Sequence, residues 1–176
     1  MRYNISSATA ILERTPRILD VWLRGLPAPW LHGNEGPKTF SPFDVVGHLI
    51  DGELADWIPR LTILLEQGES RPFDPFDRFA HWERNQGRSL ESLLEEFTQL
   101  RAESLRQLHS RGITEADLDR RGTHPALGSV TLRNLLATWV VHDLNHLRQI
   151  SRAMAVQYSA EVGPWSAYLK ILQNGG

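Results

Sequence analysis

Cysteine is absent from all 176 residues. That excludes disulfide frameworks, thiolate nucleophiles and cysteine-based zinc or iron–sulfur sites, so a metal would have to be held by histidine, carboxylate or water. No apolar run is long enough to cross a membrane. The sequence also has no glycine-rich phosphate cradle, no GxSxG elbow and no HExxH helix. The first residues, MRYNISSATAILERTP, lack the basic segment and continuous apolar core of a signal peptide. A cytoplasmic location is therefore expected, and the sequon at Asn4 reads as accidental. A net charge of −2, with lysine and arginine spread along the chain, provides no broad phosphate-binding face. Nucleic acid and membrane are not expected as partners. Sustained apolar–polar alternation is missing too, so no half-buried strand is predicted.

What remains is 41% hydrophobic and 23% charged, the composition of a soluble globular chain, read as one domain over residues 1–176. Four segments carry helical spacing. The first runs from about Ser7 to Arg24, with a bend at Thr15-Pro16. The second opens on SPFD, where Ser41 caps, Pro42 suits the first helical position and Asp44 favours the dipole. It continues toward Gln67, with Pro59 as a kink. The third, from Ser89 to Gly112, sets Leu90, Leu93, Leu94, Phe97, Leu100 and Leu105 on one face. The fourth follows LGSVT, is capped by Ser129 or Thr131, and reaches Met154; a short helix from Pro164 to Leu172 covers one end. The fold class is all-α. Long connections join the helices at Leu26–Phe40, Gly68–Arg88 and Arg111–Gly128, and the middle one is long enough to travel the height of a bundle.

The fourth helix contains TWVVHDLNHLRQI. At about 100° per residue, His142 and His146 lie roughly 40° apart on the helical wheel, one turn from each other. Leu135, Trp139 and Ala153 project the same way, so the pair faces packed protein. Either these are core histidines or they hold a metal, and the spacing alone does not decide, because HxxxH also arises by chance in a chain with seven histidines. The second helix adds His48, with the small Gly52 and Ala55 on its face leaving space. Three buried neutral imidazoles lack enough acceptors unless a cation or carboxylates join them. Three imidazoles on one ion would leave a position open for water or substrate, and a water held there becomes a stronger acid. Zinc or nickel is the first expectation for the divalent ion, with iron and manganese also able to accept imidazoles.

Asp44 and Asp51 fall one turn before and after His48. Asp44 is read as the acidic residue of the cap; Asp51 is expected to act as base, its plain alternative being a solvated residue at the edge of the stripe. Asp143 and Asn145 flank the histidine face and receive no role. His32, His81, His109 and His124 fall in loops or at a helix end and are expected to be solvated or locally bonded. Trp22, Trp57 and Trp139 are expected in the core, and Trp30, Trp82 and Trp165 as anchors of loops or of the terminal segment.

Together, a proline-opened helix with VVGHLIDGE, a central EEFTQLR helix and a final TLRNLLATWVVHDLNHLRQI resemble the DinB-like (DinB/YfiT) superfamily. The resemblance covers nearly the whole chain. It implies a four-helix bundle of up-down-down-up topology in which His48, His142 and His146 coordinate a divalent metal. Helices two and three would then run parallel, which gives the segment from Gly68 to Arg88 its purpose as a crossover. Members include thiol S-transferases that use low-molecular-weight thiols, mycothiol-dependent isomerases and metal-dependent hydrolases, so the fold does not select the reaction. The chain stops soon after VGPWSAYLKIL, without the further domain of the mycothiol-dependent isomerases, which counts against that assignment.

The expected function is a metal-dependent enzyme for a small-molecule substrate, activating water for hydrolysis or a low-molecular-weight thiol for transfer. The alternative is a non-catalytic metal-binding or stress-response bundle. Leu136, Val140, Leu144 and Leu147 turn away from the histidines, where a homodimer contact, the first helix or the terminal helix could cover them.

Overall fold

Prolines mark the breaks in two of the four bundle helices in the computed structural model, which describes residues 2–173. The first member is α1 (Ile5–Leu12) followed by α2 (Thr15–Leu23), where Pro16 sits in the opening turn. A short α3 (Ala28–His32) lies in the connection to α4 (Pro42–Ala55) and α5 (Trp57–Gln67), the two halves of the second member. They meet at Asp56, whose φ of −111° and ψ of −73° leave helical geometry. Pro59 explains the break: it has no N–H for the Ala55 carbonyl, and its ring would collide there. After α6 (Ala80–Arg84) come the third and fourth members, α7 (Leu90–Ser110) and α8 (Leu132–Ala155).

The caps follow the sequence. The Ser41 hydroxyl accepts from the Asp44 N–H at 3.2 Å while the Asp44 carboxylate accepts from the Ser41 N–H at 2.9 Å. Thr131 and Asn134 repeat this reciprocal arrangement at the start of α8, which decides between the two expected caps. Asn4 belongs to structure as well, its side chain accepting from the Ser7 N–H at 2.9 Å.

Two apolar clusters reveal the directions of the helices. One joins Leu12 of the first member to Leu61 and Leu64 late in the second, Leu105 and Leu108 late in the third, and Leu132 and Leu136 early in the fourth. The other joins Leu19 and Leu23 to Val45 and Leu49 early in the second, Leu93 and Phe97 early in the third, and Ile150 late in the fourth. Only a bundle with the first and fourth members running one way and the second and third the other can share ends like this. The topology is up-down-down-up. Each fully buried leucine contributes roughly 1.5–3 kcal/mol. Between the clusters, buried Arg101 of α7 donates to the Leu12 carbonyl and pairs with Glu53 of α4 and Asp143 of α8, tying all four members at the waist.

Parallel second and third members require a return passage, and residues 68–89 supply it. In that passage α6 lies on α4 at Gly47, where a Cβ would stand 2.0 Å from Asn85 Nδ2 and 3.1 Å from His81 Cβ. Gly52 likewise accommodates a neighbour, the Trp57 indole, whose Nε1 would stand 3.1 Å from an added Cβ. The space expected at Gly52 is thus filled by protein, and Ala55 is exposed.

The third connection departs from the expectation of no strands. It forms an antiparallel hairpin, β1 (Arg121–His124) and β2 (Gly128–Thr131), in register from Arg121↔Thr131 to His124↔Gly128. Each strand has four residues, too few to display alternation. Gly128, at φ 74°, takes the left-handed position that closes the three-residue loop. The terminal segment is made of 3-10 turns, Gly163–Tyr168 and Lys170–Leu172, rather than one α-helix. Trp165 is 72% exposed there rather than buried as an anchor. On the outer face of α8, Leu136 is buried and Val140 and Leu147 are partly covered within the chain, while Val141 and Leu144 stay exposed. No helix of the described residues is long and apolar enough to cross a membrane.

Candidate metal centre

His48 points from α4 and His142 and His146 from α8 into one space. Their Nε2 atoms converge: His142 Nε2 lies 3.2 Å from that of His48 and 3.0 Å from that of His146. One ligand atom from each ring lies within 4.8 Å of the other two. The kink at Asp56 helps to build the flank, because it swings Trp57 so that its ring stacks on Trp139 at 5.7 Å and meets His142 edge-on at 5.1 Å. Phe40 and Phe76 stand against His48 at 5.4 and 5.6 Å between ring centres.

This surround keeps the rings neutral. Burial, with the neighbouring His146 and His81 adding to it, pushes His48 down to about 3. Burial and the other two rings push His142 down to about 2, and burial lowers His146. A neutral imidazole presents the lone pair that a metal requires. The tautomer of His146 is set by its far side, where Nδ1 donates to Gln149 Oε1 at 2.8 Å and leaves Nε2 as the acceptor. Nδ1 of both His48 and His142 is buried without a partner among the described residues. Nitrogen acceptors crowd one point, with no carboxylate of the described residues joining the group. The donor set fits a divalent cation better than it fits a hydrogen-bonded core.

Two cavities open on this cluster and share His48, Arg78 and His142. One, of about 710 Å³, is also bounded by His146, Arg148, Gln149, Arg152 and Glu35. The other, of about 550 Å³, runs to the tip of the hairpin and is bounded by Asp56, Arg60, Phe76 and His124.

Asp51, the expected base, borders neither cavity. It is buried rather than solvated, its carboxylate salt-bridged to Arg84 and 3.8 Å from His81 Nδ1. Burial raises its pKa, with Arg84 pulling the other way. His81 corrects a second expectation: at 1% exposure it is neither solvated nor in an open loop. It packs on Phe40 at 4.7 Å and stands behind His48, and burial lowers its pKa. Asp44 serves the cap, as expected. Asp143, given no role from the sequence, is fully buried against Arg101. His124 accepts the Ala126 and Leu127 N–H groups at 3.1 and 3.2 Å, a local turn contact.

Of the two carboxylates that border these cavities, Glu35 is paired with Arg152, and the one on the hairpin side is Asp56. It pairs with Arg60 at 2.7 Å, and burial, offset by Arg60, raises it to about 6. Sequence reasoning passed over it because it weighed only the carboxylates one turn from His48, whereas Asp56 falls two turns on, about 80° round an unbroken helical wheel. The proline three residues later was the signal that the wheel does not continue.

This bundle and its histidine group place the molecule among helical proteins with a metal-fitted pocket. The chain belongs to the DinB superfamily, whose family model matches residues 11–150. It is also similar to the solved structure of YfiT from Bacillus subtilis, which is described as a probable metal-dependent hydrolase with an unusual four-helix bundle topology. The TM-score is 0.73 at 22% identity, over 86% of each chain. None of the curated proteins matches the chain in sequence.

Proposed function

We propose that this chain is a metal-dependent hydrolase for a small molecule, with Nε2 of His48, His142 and His146 holding a divalent cation. The observation that carries the proposal is the meeting of three neutral imidazoles beside two open cavities, His48 and His142 bordering both and His146 the larger. The hydrolytic name given to YfiT supports the same reading. Zinc or nickel suits the donor set best. Such a cation, when bound, supplies Lewis acidity and makes a water more acidic.

The chain's own residues do the rest. Gln149 holds the proton of His146 on Nδ1. Trp57, Phe40 and Phe76 keep water from the flanks of the rings. Asp56 is the proton acceptor this geometry favours, since it faces the cavity and its raised pKa places it close to neutrality, while Arg60 orients it. Asp51, the acceptor expected from the sequence, would have to leave Arg84 to reach the cavity, so it is proposed as a positioning residue behind His81.

Thiol S-transfer is the second reading, favoured by one observation: the paired cavities offer room for two reactants on either side of Arg78. Metal quantification on protein purified without an affinity tag tests the common ground. About one ion per chain, lost in His142→Ala, is expected. Turnover of an ester and amide panel, with and without low-molecular-weight thiols, then separates the readings. Asp56→Asn is expected to lower kcat by roughly 10²–10⁴ and Asp51→Asn by far less. An ion-free chain, or metal-independent turnover, overturns the proposal; a metal-loaded chain inert across the panel supports the non-catalytic bundle.

A further inference from the structure

Most arginines of this chain are paired with a carboxylate, which makes the exceptions informative. Arg78 and Arg148 both border the larger cavity beside the histidines, and among the described residues neither has a carboxylate within ion-pair distance. Arg152, on the same wall, is occupied by Glu35. With three arginines against one glutamate, the lobe carries a positive excess of two before any cation is counted.

Arg78 is also held in place. Its guanidinium lies 5.9 Å from the centre of the Phe40 ring and 5.0 Å from that of Phe79, a pair of cation–π contacts that position the charge without neutralising it. The same residue borders the second cavity, so it stands at the junction directly beside His48 and His142. Asn145 and Gln149 add amide groups to the arginine lobe. Arg78 and Arg148 are both exposed, and a lone guanidinium on a convex surface is satisfied by water. Two unpaired ones facing a concave lobe focus a positive potential and offer forked donors to a planar or tetrahedral anion.

We propose that this lobe recognises an anionic group on the substrate, a carboxylate or a phosphate, gripped by Arg78 and Arg148 while the reacting bond lies toward the histidine cluster and Asp56. The inference rests on the reading of the histidine cluster as the reactive centre for its meaning, though not for its test. It names the substrate class as small molecules carrying a negative charge a short distance from the scissile bond. Neutral esters and amides of the same size would then be poor substrates.

Titration calorimetry at constant ionic strength, with inorganic phosphate and separately with succinate, tests it on the full chain. Each titration is made on chelator-stripped protein and on protein reloaded with zinc, because an anion can also ligate a cation directly. Saturable binding to the stripped protein is expected, weakened roughly tenfold in Arg78→Gln and in Arg148→Gln. Arg17→Gln, which changes an exposed and likewise unpaired arginine bordering a separate cavity on α2, should leave it unchanged. The stronger of the two titrants identifies the anion. Binding absent from the stripped protein, or equal in all three variants, overturns the inference even where the metal reading survives. Arginine-dependent binding in a chain that takes up no metal upholds the anion lobe while removing the metal reading.

Discussion

Asp143 receives both prongs of the Arg101 guanidinium, Nη1 on Oδ2 at 2.6 Å and Nη2 on Oδ1 at 3.0 Å, with neither side chain reached by solvent. The same guanidinium reaches Glu53 Oε1 from Nε at 3.0 Å, and Trp139 Nε1 donates to that oxygen at 3.3 Å. Removing the shared cation would strand two buried carboxylates. Arg101→Leu is expected to destabilise the fold by about 3–5 kcal/mol, read from urea denaturation midpoints. A loss below about 1 kcal/mol would mean that water can enter the waist and solvate the acids.

Gln149 fixes His146 from the side away from the proposed ion. Losing it would free the ring to turn and to carry its proton on either nitrogen. Gln149→Ala should weaken zinc binding roughly 10–100-fold while leaving the helical circular dichroism intact. Competition against a chelating dye would show this directly, and an unchanged affinity would remove the positioning role.

Asp56 makes stability depend on pH in a sense opposite to that of an ordinary paired carboxylate. Burial raises it from 3.8 to about 6, so between those values the folded chain keeps a proton that the unfolded chain has lost. Its contribution is therefore greatest in acid and falls as pH rises through the window, by about 3 kcal/mol in all. Asp56→Asn should flatten that part of the difference curve. Denaturation series of both proteins from pH about 4 to about 7 would check the slope, and parallel curves would show that Asp56 ionises normally.

Gly47→Ala would gain helix propensity worth about 1 kcal/mol yet drive a methyl group into Asn85 and His81. Both neighbours are buried, so α6 must lift from α4. A net destabilisation of about 1–2 kcal/mol is expected, with faster amide hydrogen exchange concentrated in residues 80–85. Uniform exchange across the bundle would count against a local displacement.

The bundle was legible because its information is local: Ser41-Pro42, Ser89 and Thr131 set the helix starts, and the leucine spacing of α7 set a face. The three imidazoles were legible too, since His142 and His146 share a face by helical period and His48 completes a pattern met in the resembling family. What escaped depended on long-range geometry. His81 lies in a segment with no periodicity, and only the return passage beside α4 buries it. Asp143 looked oblique on the wheel, one residue from His142, and its partner Arg101 comes from another helix 42 residues earlier in the chain. Asp56 escaped because it lies two turns beyond His48, at a break whose local geometry the proline announces without defining, and the hairpin because its strands are short.

The return passage between parallel helices has an evolutionary consequence. It brings Arg78 and His81 to His48, yet among the described residues it gives only Phe73 to the apolar clusters of the four long helices. Outside the buried Phe73, His81 and Asn85, insertions and substitutions in it can therefore accumulate with little penalty to folding. One architecture can in this way keep its imidazole triplet fixed while successive lineages rewrite what the pocket admits.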